Sequence, residues 1–197
     1  MSAIIDKCAS ASFFAIIQPT NLAESAILLK FGGKISESYR DTQIFLARMT
    51  ALNLPTYPFR IKNSGEKPLI FDILRKRYVT LTPEEWVRQH FTAYLIHEKG
   101  YPAGRMGNEV SLLQNGRKRR CDTIVYDTAG EPLVVVEYKA PHIEITQAVF
   151  DQIVRYNTVL QVRYLMVTNG LAHYCCEVDY ARNLCRFLTD IPSYTEL

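Results

Sequence analysis

An α/β sandwich around a mixed β-sheet is the architecture this sequence predicts, and three features predict it. "LTPEEWVRQHFTAYLIHEKGYP" (81–102) and "IEITQAVFDQIVRYNTVL" (143–160) repeat their apolar residues at helical spacing. Three strand-like runs, about 108–114, 120–127 and 133–139, stand between them, split by "NGRKRR" and "TAGEP". Two further runs, "RYLMVTNG" and "LAHYCCEV", meet at Asn169-Gly170, a hairpin signal. The order is α-β-β-β-α-β-β, a sheet flanked by helices.

Each element has its own local reason. Ahead of the first helix, short strands are expected around 57–61, 69–72 and 77–81, separated by "NSGEKP" and "LRKR". The helix then opens on Thr82 as N-cap and Pro83 at its first position, and Glu85 completes the capping-box spacing. Val87, Phe91, Tyr94 and Leu95 form its inward stripe, and Gly100 with Pro102 ends it. In the second helix Ile145, Val149 and Ile153 recur every fourth residue. "LCRFL" near the C-terminus adds a last edge strand.

The chain has 197 residues, 22% of them charged and nearly half apolar, which suits one domain with a core. Residues 1–48 read differently, with apolar clusters of no sustained period broken by Pro19 and Gly32-Gly33. They form either an extension upstream of a start at Met49 or a small helical arm on the domain of 49–197. A net charge of +3 permits a nucleic-acid partner without arguing for one. The five cysteines show no CxxC and no zinc spacing, so reduced thiols in a cytoplasmic protein are expected. No run approaches the roughly 18 apolar residues of a membrane helix, and Lys7, offset by Asp6, is not the start of a secretory signal.

The chemistry concentrates in "CDTIVYDTAGEPLVVVEYKAP" (121–141). Residues two apart on a strand share a face, so Val135, Glu137 and Lys139 point one way and Val134, Val136 and Tyr138 the other. If 127–132 form the loop, Tyr126 pairs with Leu133 and Asp122 falls opposite Glu137. A one-residue slip would turn Asp122 away. In that register two carboxylates converge beside an ammonium. Mutual repulsion favours a hard divalent cation, which takes one or two carboxylates and keeps several waters. Such a site equips a protein for phosphodiester hydrolysis. The bland alternative is an exposed salt bridge worth at most about 1 kcal/mol. Gln152 and Tyr156, one helical turn apart on the stripe of Ile145 and Val149, need polar partners that the strand ends can supply.

"RCDTIVYD…PLVVVEYKAP…FDQIVRYN…YLMVTNG", with the helix 81–102 before it, resembles the nuclease domain at the N-terminus of type I restriction enzyme motor subunits. That domain is part of the PD-(D/E)xK, restriction-endonuclease-like superfamily. The resemblance covers a core of about 81–188 and implies a Mg²⁺- or Mn²⁺-dependent nuclease acting on DNA. It implies that Asp122 and Glu137 are metal ligands, that Lys139 is the motif's lysine, and that Gln152 and Tyr156 are a QxxxY extension. Glu85 would be the supporting acid of the first helix, although its capping-box position explains it equally well. Cys121 stands where many members have proline. "FGGKIS" lacks the glycine spacing and Ser/Thr of a P-loop, so no motor is expected in this chain. The alternative is a catalytically inactive nucleic-acid-binding module of the same fold that serves a partner subunit. Nucleases of this architecture also pair, so a homodimer stays open.

Arg117, Lys118, Arg119 and Arg120, placed in a hairpin turn just before Asp122, are candidate phosphate contacts, with Arg105 and Arg155 beside them. No aromatic ladder interleaves with basic residues along the sequence, so single-strand stacking is not expected. His90, His97, His142 and His173 lack ligand spacing and read as structural. Vicinal Cys175-Cys176 reads as a buried strand pair.

Overall fold

The structure is a computed structural model that describes residues 49–197 apart from 65–66, 115–116 and 183. The N-terminal segment 1–48 lies outside the described residues. Three strands come first: β1 (Ile61–Ser64), β2 (Lys67–Asp72) and β3 (Arg77–Thr80), joined as one antiparallel sheet in that order. The first expected strand, 57–61, thus begins only where it was expected to end. Within "TYPFR" Pro58 fixes φ and removes an N–H donor, and Pro55 stands just before that stretch, so regular pairing starts only at Ile61.

Helix α1 spans Pro83–His97. The Thr82 hydroxyl accepts from the Glu85 N–H at 3.0 Å, which is the forward half of the expected capping box. Then follow β4 (Met106–Gln114), β5 (Arg117–Tyr126) and β6 (Pro132–Tyr138), helix α2 (Gln147–Leu160), and β7 (Tyr164–Thr168), β8 (His173–Asp179) and β9 (Leu184–Phe187). These six strands form one sheet in sequence order. Every neighbouring pair is antiparallel except β6 and β7, which are parallel because α2 crosses between them. The mixed sheet and the α-β-β-β-α-β-β order are those expected, with β9 as the added edge.

The two faces of β6 carry two cores. Val134, Val136 and Tyr138 pack with Val87, Phe91 and Leu95 of α1. Val135 packs with Ile145, Val149 and Ile153 on the α2 side. A parallel strand between such faces must be apolar on both, which explains the unbroken valine run. At the β7–β8 turn Gly170 adopts φ +81°, and an added Cβ would stand 2.7 Å from Leu52.

Three expectations need correction. The basic run is not a turn: β5 begins at Arg117, so Arg117 to Arg120 lie in a strand. Gln114 of β4 pairs with Arg117 of β5. Tyr126 pairs with Pro132 rather than Leu133, because a bulge between Val125 and Tyr126 absorbs one residue. Finally, Cys176 and Cys185 are disulfide-bonded rather than reduced. Adjacent antiparallel strands bring their Cα atoms to 6.3 Å, within bridging range. Cys121 and Cys175 are free and buried.

Candidate active site

Past the bulge the β5–β6 ladder runs in the expected register, through Val125–Val134 and Ile124–Val135 to Thr123–Val136. Continued one step, it sets Asp122 against Glu137. There the ladder ends, and a side chain replaces it: Asp122 Oδ2 accepts from the Tyr138 N–H at 3.0 Å. On the other side of β5, the pairing with β4 skips the Asp122 position. Its would-be partner, Glu109, sits at φ +58° in the left-handed region. Backbone pairing therefore lapses on both sides of Asp122, and its carboxylate caps the end of the β5–β6 ladder.

Glu137 is nearly buried, at 4% exposure, and the Lys139 ammonium donates to its Oε1 at 2.8 Å. The Lys139 backbone N–H donates to the Thr168 carbonyl of β7 at 2.9 Å, which holds the lysine at the sheet end after β6 has finished. Burial, reinforced by the negative charge of Asp122, pushes the Glu137 carboxyl up to about 7 against the pull of Lys139. Burial alone would lower Lys139, but its hydrogen bond to Glu137 and the nearby Asp122 hold it above the usual lysine range. Asp122, Glu137 and Lys139 thus form one electrostatic unit where β6 and its ladder with β5 end.

The first helix contributes differently from expectation. Glu85 does not return its carboxylate to the cap. It is buried and accepts from Arg75 Nη2 at 2.6 Å and Gln89 Nε2 at 2.8 Å, and it pairs with Arg88. The neighbouring Glu84 is the helix acid that senses the site. Burial and the Asp122 charge raise its carboxyl, and Lys139 opposes them. Sequence reasoning also missed Arg88. Its Nη2 lies 3.0 Å from Asp122 Oδ1, 3.3 Å from Glu109 and 3.4 Å from Glu84. The only available signal was an arginine three residues after Glu85 and four after Glu84 on the same helix.

Behind the carboxylates a polar relay fixes the scaffold. Tyr138 donates from its hydroxyl to Thr123 Oγ1 at 3.0 Å, Thr123 donates to Asn108 Oδ1 at 2.6 Å, and Asn108 Nδ2 donates to Asp72 Oδ2 at 2.9 Å. Arg120 is ion-paired with Glu109. Arg105 donates to the Tyr194 hydroxyl at 3.3 Å. Gln152, Arg155 and Tyr156 occupy α2 and Arg117, Lys118 and Arg119 occupy β5, but their side chains lie outside the described residues. His173 is structural, bound to Thr168 and to the Asn53 carbonyl.

Among the described residues no three His, Cys, Asp or Glu side chains form a ready cage for a metal ion. The donor set instead fits a cation that takes two carboxylates and completes its shell with water, as Mg²⁺ does. Burial first, and then the Asp122 charge, raise the Glu137 carboxyl although Lys139 pairs with it and Arg88 pairs with Asp122. Also among the described residues, no helix is long and apolar enough to cross a membrane.

Comparison with known proteins gave a family match and a match to a solved structure. Residues 83–192 match the family described as the type I restriction enzyme R protein N terminus. A solved fragment assigned to an HsdR subunit of a type I restriction enzyme from Vibrio vulnificus YJ016 is 24% identical, with a TM-score of 0.46. The match covers 59% of this chain and 24% of that one, so the present chain spans a minor part of its length. No curated protein sequence matches the chain.

Proposed function

The chain belongs to the family of type I restriction enzyme R protein N termini, and from that premise we propose that it is a metal-dependent nuclease domain that hydrolyses DNA phosphodiester bonds. One observation carries the reading: where the β5–β6 ladder ends, its register brings Asp122 opposite Glu137 beside Lys139, with Glu137 pushed up to about 7. Asp122 and Glu137 are the residues that would hold Mg²⁺ or Mn²⁺. A cation bound there supplies Lewis-acid stabilisation of negative charge on the phosphoryl group and makes water easier to ionise.

The chain's own residues have separable tasks in this reading. Lys139, kept protonated by Glu137, orients the attacking water and offers positive charge to the phosphoryl oxygens. The Tyr138 N–H and Arg88 fix the Asp122 carboxylate before substrate arrives. Glu84 adds negative potential at the same strand end. Gln152 and Tyr156 brace the site from α2, Glu85 acts indirectly through Arg88, and Arg117 to Arg120 with Arg155 contact the DNA backbone.

The second reading, a DNA-binding module without catalysis that works with a partner subunit or a second copy, is favoured by one observation. Arg88 already neutralises Asp122. Plasmid and linear DNA incubated with Mg²⁺ or Mn²⁺ separate the two readings. The nuclease reading expects metal-dependent cutting that Asp122→Ala and Lys139→Ala each reduce by at least about 100-fold. DNA binding with no cutting by the wild type would establish the module instead.

A further inference from the structure

The three-stranded sheet takes no part in the chemistry proposed above, yet its outer face is specialised. Along β2, Pro68, Ile70 and Asp72 are buried while Lys67, Leu69 and Phe71 face outward. Register brings Tyr78 of β3 beside Phe71, and their rings meet edge to face with centroids 5.3 Å apart. The Arg60 guanidinium lies 3.6 Å above the centre of the Phe71 ring, and the Lys62 ammonium 4.1 Å above that of Tyr78. Arg60, Lys62 and Lys67 are exposed, and Asp72, the acid of β2, is turned to the buried side.

Exposed cations ordinarily extend into water. Laid over rings, these two are held against the sheet by cation–π attraction. The result is a flat surface that alternates π-faces with positive charge. Its chemical complement is a nucleic-acid strand with unpaired bases, because bases stack on rings and on guanidinium planes while phosphates meet ammonium groups. A duplex hides its base faces and would leave the rings unused. An acidic peptide would pair with the cations and likewise ignore the aromatic surface.

We propose that the outer face of β1–β3 binds a single DNA strand, with bases on the Arg60–Phe71 stack and on Tyr78, and phosphates at Lys62 and Lys67. The inference rests on the nuclease reading for what the strand is and where it leads, but binding is measurable without cleavage. Delivery has a path. β3 runs directly into Thr82 and the first turn of α1, where Glu84 faces the electrostatic unit of Asp122 and Lys139. The inner face is fastened there by Asp72, ion-paired with Arg75, which in turn holds Glu85.

The test uses the full chain in EDTA and the fluorescence anisotropy of a labelled oligothymidylate of about 20 nucleotides. Phe71→Leu and Tyr78→Leu keep an apolar side chain but remove the ring, and each is expected to weaken binding by at least about fivefold. Lys62→Gln with Lys67→Gln, both at exposed positions, is expected to flatten the slope of log affinity against log salt by about 1.4. Asp122→Ala should bind as the wild type does while losing metal-dependent cutting. Failure of the nuclease reading and failure of this surface are therefore distinct results. Wild-type binding in all four sheet substitutions overturns the proposal. So does an equal loss of affinity for duplex DNA, or a polyglutamate peptide that binds with the same dependence on the two rings.

Discussion

Glu137 and His90 titrate with opposite consequences for stability, and the difference gives a clean experiment on the site. The Glu137 carboxyl rises in the fold from its ordinary 4.5 to about 7, chiefly through burial and then through Asp122. Its folded value lies above its unfolded one, so its stabilising proton is fully present below about pH 4.5 and is lost as pH rises through about 7. Burial depresses His90 from 6.5 to about 4, so its contribution is present above 6.5 and lost as pH falls towards 4. The wild-type profile mixes both slopes. The difference between Glu137→Gln and wild type isolates the first. Metal-free Glu137→Gln should melt higher than wild type at about pH 8, by roughly 2–4 °C for each 1 kcal/mol relieved, with the gap closing at about pH 5. Mg²⁺ should raise the melting temperature of the wild type more at the higher pH, because the cation must displace that proton. A Glu137→Gln protein that responds to Mg²⁺ as the wild type does would remove Glu137 from the metal-binding pair.

At the scale of elements, the start of α1 shows what local sequence can and cannot convey. Thr82 and Pro83 fix where the helix begins, and Thr82→Ala should cost about 1 kcal/mol, read as a drop of roughly 2–4 °C in thermal unfolding. Those same residues do not fix how the helix is rotated against the sheet. Glu84 and Glu85 are about 100° apart on the helix, and only packing decides which one faces Asp122. The capping-box spacing drew attention to Glu85, whereas Glu84 senses the site and Glu85 is tied to Arg75 and Arg88. The β5–β6 hairpin was legible for a physical reason. Turn residues between two β-branched runs set the pairing, and the bulge at Val125/Tyr126 displaces a terminal pair without flipping Asp122. The basic run was misjudged because four cations look like a turn, while strand pairing needs only backbone groups. The interleaving of Arg60, Lys62, Phe71 and Tyr78 arises between strands and appears in no single segment.

Across the whole molecule, a single ionic chain joins the outlying sheet to the candidate catalytic strands. It passes from Asp72 to Arg75, to Glu85, to Arg88, and from there to Asp122 and Glu109, which also holds Arg120. Arg88 is the link that cannot be bypassed. It is 3% exposed, and the carboxylates around it keep its guanidinium above the ordinary arginine range even though burial opposes this. Removing one partner of such a buried arrangement leaves uncompensated charge, which typically costs 3–5 kcal/mol, far more than the net worth of any one pair. Arg88→Met keeps an apolar stem beside the Tyr138 ring yet abandons Glu84, Glu85, Glu109 and Asp122 to mutual repulsion. Urea unfolding of the metal-free variant at neutral pH should show a loss of about 3–5 kcal/mol. If Asp122 belongs to a cation site, Mg²⁺ restores part of that loss, because the ion supplies charge where the guanidinium stood. The gain on adding Mg²⁺ is then larger in Arg88→Met than in the wild type, and Asp122→Asn in the same background abolishes it. Equal Mg²⁺ gains in variant and wild type would mean that Arg88 secures the scaffold alone and that the carboxylate it holds meets no metal.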